Sequence, residues 1–154
     1  MNVFVTDPDP IKSAVNLPDK LIVKMPVESC QMMSIVLSDW YPNYPNLPLL
    51  KVNGNFYKTE KGAHRNHPCT KWIGSDYRNF VWLVAHAMGL CLEYTKRYKK
   101  EHGCVIAIRQ IIASIEQAKN PASTITQYYE YYQDPTNYVK RIKTRVRVMH
   151  TKSI

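Results

Sequence analysis

Residues 75–100 read SDYRNFVWLVAHAMGLCLEYTKRYKK, and this stretch decides the fold. Ser75 or Asp76 can cap the start of a helix that runs to about Lys100. At helical spacing one face carries Tyr77, Val81, Val84, Met88, Cys91 and Thr95, and the opposite side carries Trp82, His86, Leu90 and Glu93. A helix apolar nearly all round needs neighbours on most sides, so it is the buried centre of its domain. Its last turn is cationic (Lys96, Arg97, Lys99, Lys100), which suits the negative end of a helix.

Outward from that centre the elements are also helical. Gly103 is expected to break the helix, and Val105, Ile108, Ile111, Ile112 and Ile115 form a further amphipathic one that ends near Asn120-Pro121. Upstream, Leu21, Met25, Met32 and Val36 recur at helical spacing behind Asp19, which has the side chain of an N-cap. Pro26 falls inside this stretch and is expected to kink the helix or restart it. Asp7-Pro8-Asp9-Pro10 stops the apolar Val3–Val5 piece and leads into a turn or two of helix over 11–17. Residues 39–55 read as a loop, since Pro42, Pro45, Pro48 and Asn53-Gly54 do not build a long regular element; 52–56 suit a small hairpin. The expectation is a mainly α, compact single domain over 1–154, with a helical core over 1–133 and a basic segment over 134–154 that includes a small terminal β element.

The chain has 154 residues, enough to bury a core without staples, and 45% of them are hydrophobic, which excludes compositional disorder. The formal net charge of +9 favours an acidic partner. Beyond Asp134 there is no acid, while Lys140, Arg141, Lys143, Arg145, Arg147 and Lys152 supply six positive charges. From Arg141 to Val148, basic and β-favouring residues alternate, so as a strand this segment presents a basic face suited to phosphates. The preceding Tyr128-Tyr129-Glu130-Tyr131-Tyr132 offers rings for base stacking. The opposing reading is a tail whose charge serves solubility. Cys30, Cys69, Cys91 and Cys104 follow no secretory leader, and three of them sit in helical segments, so reduced, buried thiols in a cytoplasmic protein are expected. The best apolar run, 80–92, contains His86 and is too short to cross a membrane.

Glu28 is the most informative single residue. Helical spacing puts it on or beside the Leu21, Met25, Met32 stripe, where partial desolvation lets a carboxylate trade protons near neutrality. The alternative is a Glu at the edge of the stripe, or one paired with Lys24. His64, His67 and Cys69 cluster, with Cys91, His86 and His102 elsewhere, but no pair of Cys-x-x-Cys knuckles accompanies them, so no metal is expected. His67 suits capping a helix or touching a phosphate instead. The five glycines, scattered at 54, 62, 74, 89 and 103, form no nucleotide fingerprint.

Asp19-Lys20, then Lys24-Met25-Pro26-Val27-Glu28-Ser29-Cys30-Gln31, then Asn66-His67-Pro68-Cys69-Thr70-Lys71-Trp72 form a pattern, continued by Trp82-Leu83, Glu93-Tyr94 and Arg97-Tyr98. It resembles phage and bacterial relatives of the pyrimidine-dimer DNA glycosylase, endonuclease V, over roughly residues 1–104. The resemblance implies an all-helical fold that acts on DNA without a cofactor. It implies that the amino-terminal amine attacks C1′ of the damaged nucleotide to form a Schiff base, that a helical Glu assists, and that strand cleavage follows by β-elimination. Carried over, Glu28 matches that Glu and the amine of Met1 the nucleophile. Met before Asn2 is ordinarily retained. The arginines that flank the Glu in the endonuclease are absent; Lys24 and Gln31 stand there instead. Lys20, Lys24, Arg65, His67, Lys71, Arg141, Lys143, Arg145 and Arg147 are the expected nucleic-acid contacts. Two other readings stay open: a DNA-binding or inhibitory phage module without catalysis on the same scaffold, and a nucleotide-handling enzyme.

Overall fold

The computed structural model describes residues 2–40, 49–60 and 62–117. Six helices are present among them: α1 (Pro10–Val15), α2 (Asp19–Trp40), α3 (Gly62–Arg65), α4 (Pro68–Gly74), α5 (Tyr77–Tyr98) and α6 (Val105–Gln117). The protein is mainly α, as its periodicity implies. The Tyr-rich stretch, the basic segment and its expected β element lie outside the described residues.

α5 is the centre. The Asp76 side chain accepts the Arg78 N–H and caps it, while Ser75 closes α4. Every residue from Asn79 to Cys91 is buried. Trp82 is 0% and Val84 2% exposed, the outcome demanded by apolarity on all sides. The helix ends at Tyr98, close to the expected Lys100, but Gly103 is not what ends it. Lys99 takes a left-handed conformation, φ 59°, and its N–H bonds back to Thr95 O, so the break falls four residues before Gly103. The residues around that stop are exposed except for the half-buried Arg97, which ties the last turn to Asp19 and the Val15 carbonyl. Gly103 answers to a close approach instead: a Cβ there would lie 3.3 Å from Val52 Cγ1.

α1 lies across α5 because Gly89 lets it. A Cβ at 89 would sit 2.7 Å from Ile11 Cδ1 and 3.2 Å from Ala14 Cβ. Two side chains of α5 then latch the proline run that starts α1. Trp82 Nε1 donates to Pro8 O (2.8 Å), and His86 Nδ1 bonds Pro10 O (3.0 Å) while its ring stacks on Trp82. Asp9 caps α1 through the N–H groups of Ile11 and Lys12, with Pro10 at its first position. From α1, Ser13 reaches back to the first residues: its Oγ donates to Phe4 O and accepts the Thr6 N–H. Val3 and Phe4 are buried. The chain's start is therefore fixed to α5 through α1.

α2 passes through Pro26 as one helix, so of the two expected outcomes the restart does not occur. Proline deletes only the bond to the Ile22 carbonyl. The turns on both sides are held by burial of Ile22, Met25, Met32, Met33 and Ile35, and His102 Nε2 bonds the neighbouring Val23 carbonyl at 2.9 Å. Asp19 is the first helical residue rather than the cap; Pro18 O accepts from Leu21 and Ile22, and the Asp19 carboxylate pairs with Arg97. α2 is also long and apolar enough to cross a membrane by length and composition (mean hydropathy 1.2), but 67% of that window is buried in the core, which accounts for its apolarity.

The expected hairpin is an antiparallel bridge between Leu50 and Phe56, closed by Lys51 N–H to Asn55 O (2.8 Å), with Gly54 at φ 86°. Gln110 of α6 accepts the Leu50 N–H and ties the hairpin down. All four cysteines are free and buried. Cys30 and Cys104 hydrogen-bond each other beside Tyr57, whose hydroxyl lies 3.5 Å from Cys104 Sγ.

Candidate active site

Glu28 faces inward a little before the middle of α2 and is 7% exposed. Its Oε1 accepts the backbone N–H of Asn2 at 3.0 Å. Its Oε2 lies 3.7 Å from Nζ of Lys24, one turn back on the same helix. Glu28 thus sits against the apolar stripe and pairs with Lys24. Residue 1 lies outside the described residues. Covalent geometry tethers any amine there three bonds from the Asn2 N–H.

α4 supplies the second wall. His67 is its N-cap: Nδ1 accepts the Cys69 N–H at 3.1 Å. A ring nitrogen that accepts carries no proton, so the neutral ring is protonated on Nε2. Burial, with His64 nearby, holds His67 below its ordinary value, and Glu28 acts weakly in the other direction. At neutral pH, His67 is thus an uncharged ring whose Nε2–H has no partner among the described residues. The backbone of Val3 hydrogen-bonds the buried Cys69 thiol, and burial raises that thiol. So the first residues are gripped twice, by Glu28 of α2 at Asn2 and by Cys69 of α4 at Val3.

The other expected contacts are distributed unevenly. Lys20, Lys24 and Lys71 are exposed. Arg65 is already engaged, by an ion pair to Asp39 and a hydrogen bond to Thr59 O. Arg141, Lys143, Arg145 and Arg147 lie outside the described residues. The Asn2 N–H was not foreseeable, because a backbone amide has no residue-type signature. Trp40 carried a signal that composition hid: Met33, Val36, Leu37 and Trp40 continue the helical spacing into what reads as the start of a loop.

A buried carboxylate held against the first residues of a helical domain, beside a neutral imidazole, is suited to acid–base chemistry at the chain's start. The model of the pyrimidine dimer DNA glycosylase family matches residues 1–106, and the chain belongs to that family. The matched span takes in α1 to α5 and the residues around Glu28 and His67. Neither curated proteins nor solved structures gave a match.

Proposed function

We propose that this protein is a DNA glycosylase with AP-lyase activity, in which the amine of Met1 is the nucleophile and Glu28 the acid–base group. The hydrogen bond between Asn2 N–H and Glu28 Oε1 carries this reading, because it puts the carboxylate within a few bonds of the chain's amine. An α-amine titrates near neutrality and is a competent nucleophile once neutral. It attacks C1′, the N-glycosidic bond breaks, and the base leaves with a proton; the C1′–O4′ bond then opens, its electron pair leaving on O4′, which takes a proton, while the nitrogen lone pair forms C1′=N. The resulting iminium acidifies the C2′ hydrogens, and loss of one expels the 3′-phosphate by β-elimination. Glu28 carries protons in these steps. DNA is the partner, and no cofactor enters the chemistry. The nucleotide must leave the stack to be reached.

Lys20 and Lys24 of α2 and Lys71 of α4 offer exposed cations to the bound DNA, and His67 a neutral donor. The basic segment supplies affinity that does not depend on sequence.

Borohydride trapping on a duplex with an abasic site tests the reading. The wild-type protein is expected to form a covalent adduct, and Glu28→Gln to cut strand cleavage by about 10²–10⁴-fold. The Gln amide oxygen can still accept the Asn2 N–H, so the fold is expected to survive. Tight binding without any adduct would sink the enzyme reading in favour of a non-catalytic module. For the basic segment, replacing Arg141, Lys143, Arg145 and Arg147 with Ser is expected to flatten the log–log salt dependence of duplex binding by about three units. An unchanged slope would remove the segment from the DNA interface.

A further inference from the structure

A cavity of about 290 Å³ opens between the last turns of α2 and α4, away from Glu28. Val36 and Trp40 line it from α2, Lys71 and Gly74 from α4, and Arg65 and Asp39 close one rim. The Trp40 ring is braced against Tyr77 (centroids 4.4 Å apart) and Phe80 (5.1 Å), so it meets a ligand with little freedom left to lose. Gly74 lines the cavity next to Val36, whose Cγ2 a Cβ at 74 would meet at 3.4 Å, an ordinary contact. Arg65 and Asp39 neutralise one another. Lys71 is exposed and has no ion pair among the described residues, so the cavity has one net positive charge. A flat aromatic wall with a single cation beside it matches one nucleotide: the ring takes a base, the ammonium a phosphate.

We propose that this cavity is a second nucleotide subsite, with a base of the bound DNA against Trp40 and its phosphate at Lys71. The proposal rests on the DNA-directed function above and adds a place that holds the strand apart from the reacting sugar. Val36 lies eight residues beyond Glu28, about 12 Å along a helix that rises 1.5 Å per residue. That is roughly three to four steps of B-form DNA at 3.4 Å each. Lys71 lies one turn beyond His67 on α4, so the two helices lead in the same sense from the Glu28 site to the cavity.

Trp72 and Trp82 are buried, which leaves Trp40 as the tryptophan whose emission a ligand can reach. The experiment adds a 5′-phosphorylated thymidine trinucleotide to the full-length protein and follows tryptophan fluorescence. Saturable quenching is expected for wild type and none for Trp40→Phe. Lys71→Ser, an exposed change that leaves the core alone, is expected to bind about ten-fold more weakly and to lose about 0.7 of the log–log salt slope. Absence of saturable quenching, or a Lys71→Ser protein that binds within two-fold of wild type, overturns the proposal. So does inorganic phosphate that competes as well as the trinucleotide, since it would leave the base without a role. Borohydride trapping on an abasic duplex, run on the same three proteins, separates this from the catalytic reading. Adducts without quenching sink the subsite alone. Quenching that depends on Trp40 and Lys71, without adducts, upholds the subsite and sinks the lyase.

Discussion

His86 and His67 both bond backbone groups, yet only one of them is left with anything to offer a substrate. His86 is enclosed between α5 and α1. Its Nδ1 is spent on Pro10 O, its ring on Trp82, and burial pushes it down to about 4. His67 also spends Nδ1, on the Cys69 N–H, but sits only half-buried, and its Nε2–H has no partner among the described residues. The same side chain is structural where packing surrounds it and chemical where packing stops. Glu28 lies on that boundary: buried enough to be held, yet bonded to the most terminal N–H that is described.

That contrast can be broken at either pole. The largest effect is expected at the packed one. Trp82→Ala removes a fully buried indole and the latch on Pro8 O, and should cost about 3–5 kcal/mol in urea unfolding. A loss below 1 kcal/mol would mean that α1 is held by something else. His86 is the next test. Its ordinary value is 6.5 and its folded value about 4, so between these the unfolded chain binds the extra proton. Stability should therefore rise with pH across this window, be fully present above about 6.5, and fall away towards 4, by about 3 kcal/mol in all. His86→Phe should remove this component, and the gap between wild type and variant should narrow as the pH drops from 7 to 4. A gap that stays constant with pH would show that His86 is not the buried neutral ring described. The smallest effect belongs to His67. Losing a helix cap costs about 1 kcal/mol, so His67→Ala should be mildly destabilised and His67→Asn, which keeps a cap, close to wild type. If His67→Asn also matches wild type in lyase rate, Nε2–H has no part in the chemistry.

The packed half of the molecule is the half that the sequence announces. Val81, Trp82, Val84 and Met88 leave α5 no face to expose, and a helix with that pattern is read without its neighbours. Glu28 stands out for a related reason, as a charge at the edge of an apolar stripe. Its site is completed by groups that carry no such mark: the amide of Asn2, the amide that His67 accepts, and the contact of Val3 with Cys69. Such groups converge only once α1 is laid over Gly89. Pro26 does not restart the helix because its local cost is real but small against the burial of Ile22, Met25 and Met32. Trp40 is lost to composition, since the Pro- and Asn-rich residues that follow outweigh one more turn of helical spacing.

The two latches on the proline run have a consequence for how the chain can vary. Trp82 and His86 fix the carbonyls of Pro8 and Pro10, so the residues before them form a leash of set length that ends at Glu28. Side chains along that leash can change freely where they point outward without a partner, as at Pro8, whereas the Thr6 hydroxyl donates to Ser13 O. Its length cannot: an extended residue spans about 3.3 Å, more than the reach of a hydrogen bond, so one deletion between Phe4 and Pro8 would pull the chain's start out of register with the carboxylate. Under the proposed chemistry, counting residues back from Pro8 matters more than what those residues are.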